Sequence, residues 1–420
     1  MINPITLLST LRDEFARDIL LVDQSVRRDY QFSDMPNMIQ VAIGMRRTGK
    51  TFMLFQEIRR LLDEGIPLTK ILYVNLEDDR LLPLSHTGLA ELLDAFYALY
   101  PHNHEEQCYF FLDEIQNVSD WAIVVRRFLD SKKVKIYLSG SSAKLLSKEI
   151  ASSLRGRSFA TEIWPYHFAE YLDAHHIKKP PKILNQRLQD KYKQHLTTYL
   201  IEGGFPSVQS VTAAERRKIL QDYADTVVYR DIIERYRISN VTLIKYLVKT
   251  MLNNAAATYS PNKFYNDLKS QGFKVSKDTV YDYINHIEDA FLAFTVSLYS
   301  ESLRKTQVNP KKIYAVDSGL VKAYSISSLD NLGRMFENQF YIYLRKNGHT
   351  VYYYKTSEGF EIDFFSHDSV GKPHLYQVVW DTYDSQTLAR EYRALESAEK
   401  ELGIAGELID PIKFLSRFAG

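Results

Sequence analysis

Between residues 38 and 165 five short apolar runs, MIQVAIG, ILYVNLE, CYFFLDE, KIYLSGSS and FATEIWP, alternate with stretches of helical periodicity. Near-continuous apolar strands separated by helices form parallel sheets covered on both faces. Residues 33–165 are therefore expected to be an α/β domain. The first run passes into GMRRTGKT, residues 44–51, and the third ends in the carboxylates of Asp113 and Glu114.

GMRRTGKT completes the spacing GxxxxGK[ST], and it follows a strand and opens the helical stretch TFMLFQEIRRLL. In that setting the backbone N–H groups of a tight turn point inward around phosphate oxygens at a helix N-terminus. The nucleotide-contacting stretch then comprises Gly44, Met45, Arg46, Arg47, Thr48, Gly49, Lys50, Thr51 and Phe52. Lys50 supplies a point charge for the β- and γ-phosphates, and the Thr51 hydroxyl can ligate Mg2+. Arg46 and Arg47 are read as outward facing rather than catalytic. Asp113 would hold the metal through water, and Glu114 would polarise the attacking water. The expected ligands are ATP or ADP and Mg2+.

VAIGMRRTGKT, YFFLDEIQN, IYLSGSSAKLL and LRGRSF, in that order and spacing, resemble the AAA+-type ATPases of bacteria and archaea that carry an uncharacterised C-terminal domain. The likeness covers nearly the whole chain and is best matched in its N-terminal third. It implies a P-loop ATPase fold and a polar sensor of the γ-phosphate at Ser139 or Ser141. It also implies an arginine motif at Arg155 and Arg157, acting within the subunit or across a homo-oligomer; a solvated basic turn is the plainer reading of both. The family ends in a domain similar to restriction-endonuclease folds, whose helix acid matches Glu337 and whose strand acid matches Asp363. Where that fold carries its ExK pair, this chain has Gln377 and Val379. A metal-ligating carboxylate and a charge-stabilising lysine are thus both replaced, so a domain without cleavage is expected. Lys355 or Lys372 are the lysines that could substitute.

The remaining chain divides into a helical segment at 1–32, a helical region at 166–236 broken by GGFPSV, a winged-helix-like part at 237–305 and the endonuclease-like α/β part at 306–420. Ser260, followed by Pro261, and Ser276 are expected to cap two of the winged-helix helices. Within ESLRKTQVNPKK, the residues Arg304, Lys305, Lys311 and Lys312 are read as a basic loop suited to DNA. Tyr352, Tyr353 and Tyr354 fit alternating burial in a strand.

With 53 Lys and Arg against 52 Asp and Glu in 420 residues, no global basic field exists, and any nucleic-acid contact must come from a local patch. The single cysteine, Cys108, excludes an internal disulfide and points to the cytoplasm. No apolar run approaches the roughly 20 residues of a membrane helix. Three functions follow: an ATP hydrolase acting on DNA without cutting it, an ATP-driven switch that docks a protein partner, and an ATP-dependent nuclease.

Overall fold

The computed structural model describes residues 3–141, 154–302, 306, 309–325 and 331–419. It divides into two compact units, one ending at Ile163 and the other beginning at Trp164.

The first unit is built on five strands: β1 Ile39–Ile43, β2 Ile71–Asn75, β3 Cys108–Asp113, β4 Val134–Gly140 and β5 Ser158–Glu162. Their order is β2-β3-β4-β1-β5, and every pairing is parallel. Helices α1 Pro4–Asp18, α2 Lys50–Asp63, α3 His86–Leu99 and α4 Trp121–Ser131 accompany the sheet. The five apolar runs are thus the five strands. Asn3 caps α1 by accepting from the Ile5 N–H at 2.9 Å. That helix packs into the unit, because Phe15 stacks on Tyr73 with ring centroids 4.9 Å apart and shares one core with Leu54, Ile58 and Phe111. Fully burying each such side chain contributes about 1.5–3 kcal/mol. Helix α1 therefore shares the core of the first unit.

The second unit opens with the helices Phe168–Ala174, Gln186–Glu202 and Ala213–Thr226, the last continuing as a π-helical stretch, Val227–Glu234. Next comes the order helix Val241–Asn253, strand β6 Ala257–Tyr259, helices Pro261–Ser270 and Lys277–Asp289, then strands β7 Ala293–Val296 and β8 Lys311–Ala315. The Ser260 and Ser276 side chains accept from the N–H of Lys263 and Thr279, so both caps form as expected. The three strands pair antiparallel in the order β6-β8-β7, which carries this sheet to Ala315 rather than ending it near residue 305.

Lys311 and Lys312 accordingly lie in a strand, and Lys312 is only 3% exposed, which corrects their reading as part of a basic loop suited to DNA. Alternate residues of a strand face opposite sides, so one of two adjacent lysines is turned inward. Arg304 and Lys305 lie outside the described residues.

The helix Ser318–Tyr324 leads on to the helix Leu332–Lys346 and a four-stranded sheet of β9 Thr350–Lys355, β10 Glu361–His367, β11 Pro373–Val378 and β12 Gly406–Ile409. Its order is β12-β11-β10-β9, antiparallel except that β12 runs parallel to β11. The helix Ser385–Leu402 makes the parallel crossover, and the helix Pro411–Ser416 closes the chain. Among the described residues no helix is long and apolar enough to cross a membrane.

Candidate functional site

Because the strands of the first sheet are parallel, their C-terminal ends share one edge, where sheets of this kind bind ligands. Register sets Asn75 beside Asp113 and Ala42 beside Ser139, which brings the ends of β1, β2, β3 and β4 together. The loop from Gly44 to Gly49 leaves β1 at this edge and α2 begins at Lys50. Gly44 cannot be replaced without strain: its φ is 151° and an added Cβ would stand 2.2 Å from the Ile163 carbonyl oxygen.

Lys50 is 4% exposed. Its Nζ donates to the carbonyls of Gly44 and Met45, at 3.2 and 3.1 Å, and stands 3.7 Å from Glu114 Oε1. The Thr51 hydroxyl donates to Asp113 Oδ2 at 2.7 Å. Tyr73 donates to the same oxygen at 3.0 Å, and Ser139 donates to Oδ1. Burial pushes the Asp113 carboxyl up, aided by repulsion from Glu114 and opposed by the bonds from Ser139 and Thr51 and by the Lys50 charge.

Glu114 takes a left-handed backbone, φ 55°, and its N–H donates to Ser139 Oγ at 2.9 Å. Ser139 thus links the carboxylate of Asp113 to the backbone of Glu114 and positions the acidic pair. Ser141 Oγ accepts from Gln116 Nε2 at 3.3 Å, and the same amide also bonds Glu114.

Of the other loop residues, Arg46 folds onto Glu77 at 3.0 Å, Arg47 is exposed with φ 69°, and the Thr48 hydroxyl donates to Met45 O at 3.0 Å. Phe52 is partly exposed beside Phe55. Arg155 is exposed, whereas Arg157 is held by Asp130 of α4 at 2.5 Å.

The donor set fits Mg2+ and a polyphosphate. Mg2+ is usually held by one or two carboxylates together with substrate phosphates rather than by an all-protein cage. Thr51 and Asp113 supply that hard-oxygen pair.

Two contributors escaped the sequence. Tyr73 is one, recognisable only by its place beside the acidic strand. The other is Arg28, 5% exposed, whose guanidinium donates to the Thr48 carbonyl at 2.6 Å while its N–H donates to Gln56 Oε1 at 2.9 Å. It ties the segment before β1 to the loop from Gly44 to Gly49 and to α2. Arg28→Ala is expected to lower the unfolding free energy by about 1.5–3 kcal/mol, the range for a hydrogen bond to a charged group. Urea denaturation would read that loss, and nucleotide titration the accompanying loosening of the loop.

In the second unit Glu337 and Asp363 do come together, around Lys312 Nζ at 3.0 and 2.8 Å. Lys355 reaches Glu361, at 3.6 Å, and Lys312 takes the central place instead. Gln377 accepts from the Asp363 N–H at 3.1 Å and donates to Glu391 at 2.5 Å, and Val379 is buried.

A family model described as an AAA domain matches residues 36–172, and one for a domain of unknown function matches 193–331. The uncharacterized protein MJ1544 of Methanocaldococcus jannaschii is 34% identical over 389 residues, 90% of this chain and 82% of that protein. An uncharacterized protein of Haemophilus influenzae is 29% identical, over 80% of this chain and 81% of its own. Among solved structures, the Walker-type ATPase PABY2304 of Pyrococcus abyssi aligns with a TM-score of 0.43 and 13% identity, covering 71% of this chain and 97% of that one. With a relative 34% identical over 90% of this chain, the chain belongs to the same family as MJ1544, and its residues 36–172, which carry Lys50, Asp113 and Glu114, form an AAA domain.

Proposed function

We propose that the protein is a Mg2+-dependent ATP hydrolase whose nucleotide cycle is coupled to its C-terminal unit, and that this unit contacts DNA without cutting it. The observation that carries the first half is the convergence of Lys50, Thr51, Asp113 and Glu114 at one sheet edge.

Lys50 and the loop N–H groups bind and orient the phosphates. Thr51 and Asp113 would hold Mg2+, which when bound offsets the charge developing on the β- and γ-phosphate oxygens. Glu114 takes a proton from the attacking water as its oxygen bonds the γ-phosphorus and the bridging bond to the β-phosphate breaks, releasing ADP and phosphate. The Ser141 hydroxyl, bonded to the amide that also holds Glu114, suits γ-phosphate sensing. Exposed Arg155, rather than Arg157 with its Asp130 partner, is the better candidate to reach a nucleotide in a neighbouring subunit of a homo-oligomer.

For DNA, the support is a local charge asymmetry. The order helix, strand, helix, helix, strand, strand between Val241 and Ala315 is that of a winged helix. Residues 241–277 carry six lysines and one acid, Asp267. Of these lysines, Lys249, Lys263, Lys269, Lys274 and Lys277 are exposed. The helix Lys277–Asp289 is mixed to acidic, so the phosphate-tracking charge lies on the two preceding helices and their connections.

Duplex DNA is expected to bind at low salt and to change the ATPase rate. Each lysine replaced by alanine should lower the salt slope by about 1 if it contacts phosphate. No binding at low salt, in a protein that still hydrolyses ATP, removes the DNA half and leaves an ATP-driven switch for a protein partner.

A further inference from the structure

We propose that Lys312 is a built-in cation: its ammonium stands where a divalent ion would sit among the carboxylates of Glu337, Glu361 and Asp363, so that the C-terminal α/β domain takes up no metal. This rests on the reading that the domain does not cut DNA, and it is independent of the ATPase assignment.

Lys312 Nζ lies 3.0 Å from Glu337 Oε1, 3.0 Å from Glu361 Oε1 and 2.8 Å from Asp363 Oδ1. One nitrogen is thus surrounded by three carboxylate oxygens at nearly equal distances. Glu337 comes from the helix Leu332–Lys346, Glu361 and Asp363 from β10, and the lysine from β8, in the other sheet of this unit. A register shift between Ile362 and Phe365 in the β9–β10 pairing falls at Asp363, the kind of irregularity that re-aims a side chain. Mg2+ holds oxygens at about 2.0–2.1 Å and Ca2+ at about 2.3–2.6 Å. The same oxygens would need to draw in by about an ångström for Mg2+ and by about half that for Ca2+.

An ordinary buried ion pair matches one charge with one. Here three carboxylates meet one ammonium, an excess of negative charge that a divalent ion would suit better than a lysine. The molecule relieves the excess with further donors. Tyr314 donates to Glu337 Oε1 at 2.8 Å, the Val378 N–H donates to Asp363 Oδ2 at 3.1 Å, and Lys355 approaches Glu361 at 3.6 Å. Burial and the neighbouring Asp363 also push the Glu337 carboxyl up. Gln377, at the position where a third ligand would stand, is committed to the Asp363 N–H and to Glu391. Breaking such a cluster by removing the lysine alone would strand buried negative charge, which is strongly unfavourable. A metal ion is the natural replacement.

The test uses the full-length, nucleotide-free protein and Mn2+ as the probe, with free Mn2+ followed by electron paramagnetic resonance. Lys312→Met is expected to bind one equivalent more Mn2+ than the wild type, and Lys312→Met/Glu337→Gln to lose that equivalent. If Lys312→Met is poorly folded, Mn2+ is expected to raise its melting temperature while leaving that of Lys312→Met/Glu337→Gln/Asp363→Asn unmoved. A Lys312→Met protein that neither takes up the extra ion nor is stabilised by it overturns the inference and leaves the non-cutting reading standing. Mn2+-dependent DNA nicking by the wild type, lost in Asp363→Ala, overturns both.

Discussion

Lys50→Ala is expected to abolish ATP turnover, by at least about 100-fold, the scale on which removing one preorganised charge donor acts, and to weaken nucleotide binding as well. The buried ammonium is bonded to two carbonyls of its own loop, at 3.2 and 3.1 Å. Turning to phosphate oxygens exchanges neutral acceptors for charged ones, roughly doubling the strength of each bond. Alanine offers neither. Glu114→Gln should behave differently, because glutamine keeps the shape and hydrogen-bonding length of the side chain but cannot take a proton from water. The left-handed backbone at this position is no worse for Gln than for Glu. Binding is therefore expected to survive while hydrolysis stalls. Phosphate release and a fluorescent-nucleotide titration separate the two variants, and wild-type turnover in either contradicts its assignment.

The turn from Gly44 to Gly49 was legible because its surroundings are consecutive: a buried strand before it and a helix that begins at Lys50 after it. Asp113 and Glu114 were legible for a related reason, as the end of an apolar run that only a covered sheet would use. What the sequence concealed came from distant positions. Arg28 sits in the polar stretch SVRRDYQ, where nothing marks one of two adjacent arginines for burial against Thr48. KKIYA looks like a solvated basic turn, because the carboxylates that make burial of Lys312 tolerable lie 25 to 51 residues further on. Strand β6 is three residues long, too short to show an alternation. Strand β12 follows a charged helix and is recognisable chiefly from its pairing with β11. The fold of the first unit was thus written locally. That of the second depended on long-range pairing, and its central lysine was misplaced in consequence.

The same dependence on distant partners makes Asp317 a residue whose loss should damage the second unit. It accepts from the Gly204 N–H at 2.7 Å and caps the helix Ser318–Tyr324 by accepting from Leu320 at 3.0 Å. One buried carboxylate thus pins the GGFPSV turn, 113 residues away, to the start of a helix. The turn comes close enough only because residue 203 is glycine, with φ 79° and a notional Cβ 2.1 Å from Asp317 Oδ1. Asp317→Ala leaves two buried donors unpaired and is expected to cost about 2–6 kcal/mol, at 1–3 per orphaned group. Burial pushes the carboxyl up from 3.8 to about 6, with the backbone N–H groups opposing it. A folded-state value above the unfolded one means that the folded protein binds the proton more tightly. The resulting stability is fully present below pH 3.8 and is lost as the pH rises through 6, a change of about 3 kcal/mol. Asp317→Asn cannot titrate. Its unfolding free energy, measured in urea across this range, should therefore vary less with pH than that of the wild type by about that amount, and parallel profiles would show that Asp317 is not the titrating pin.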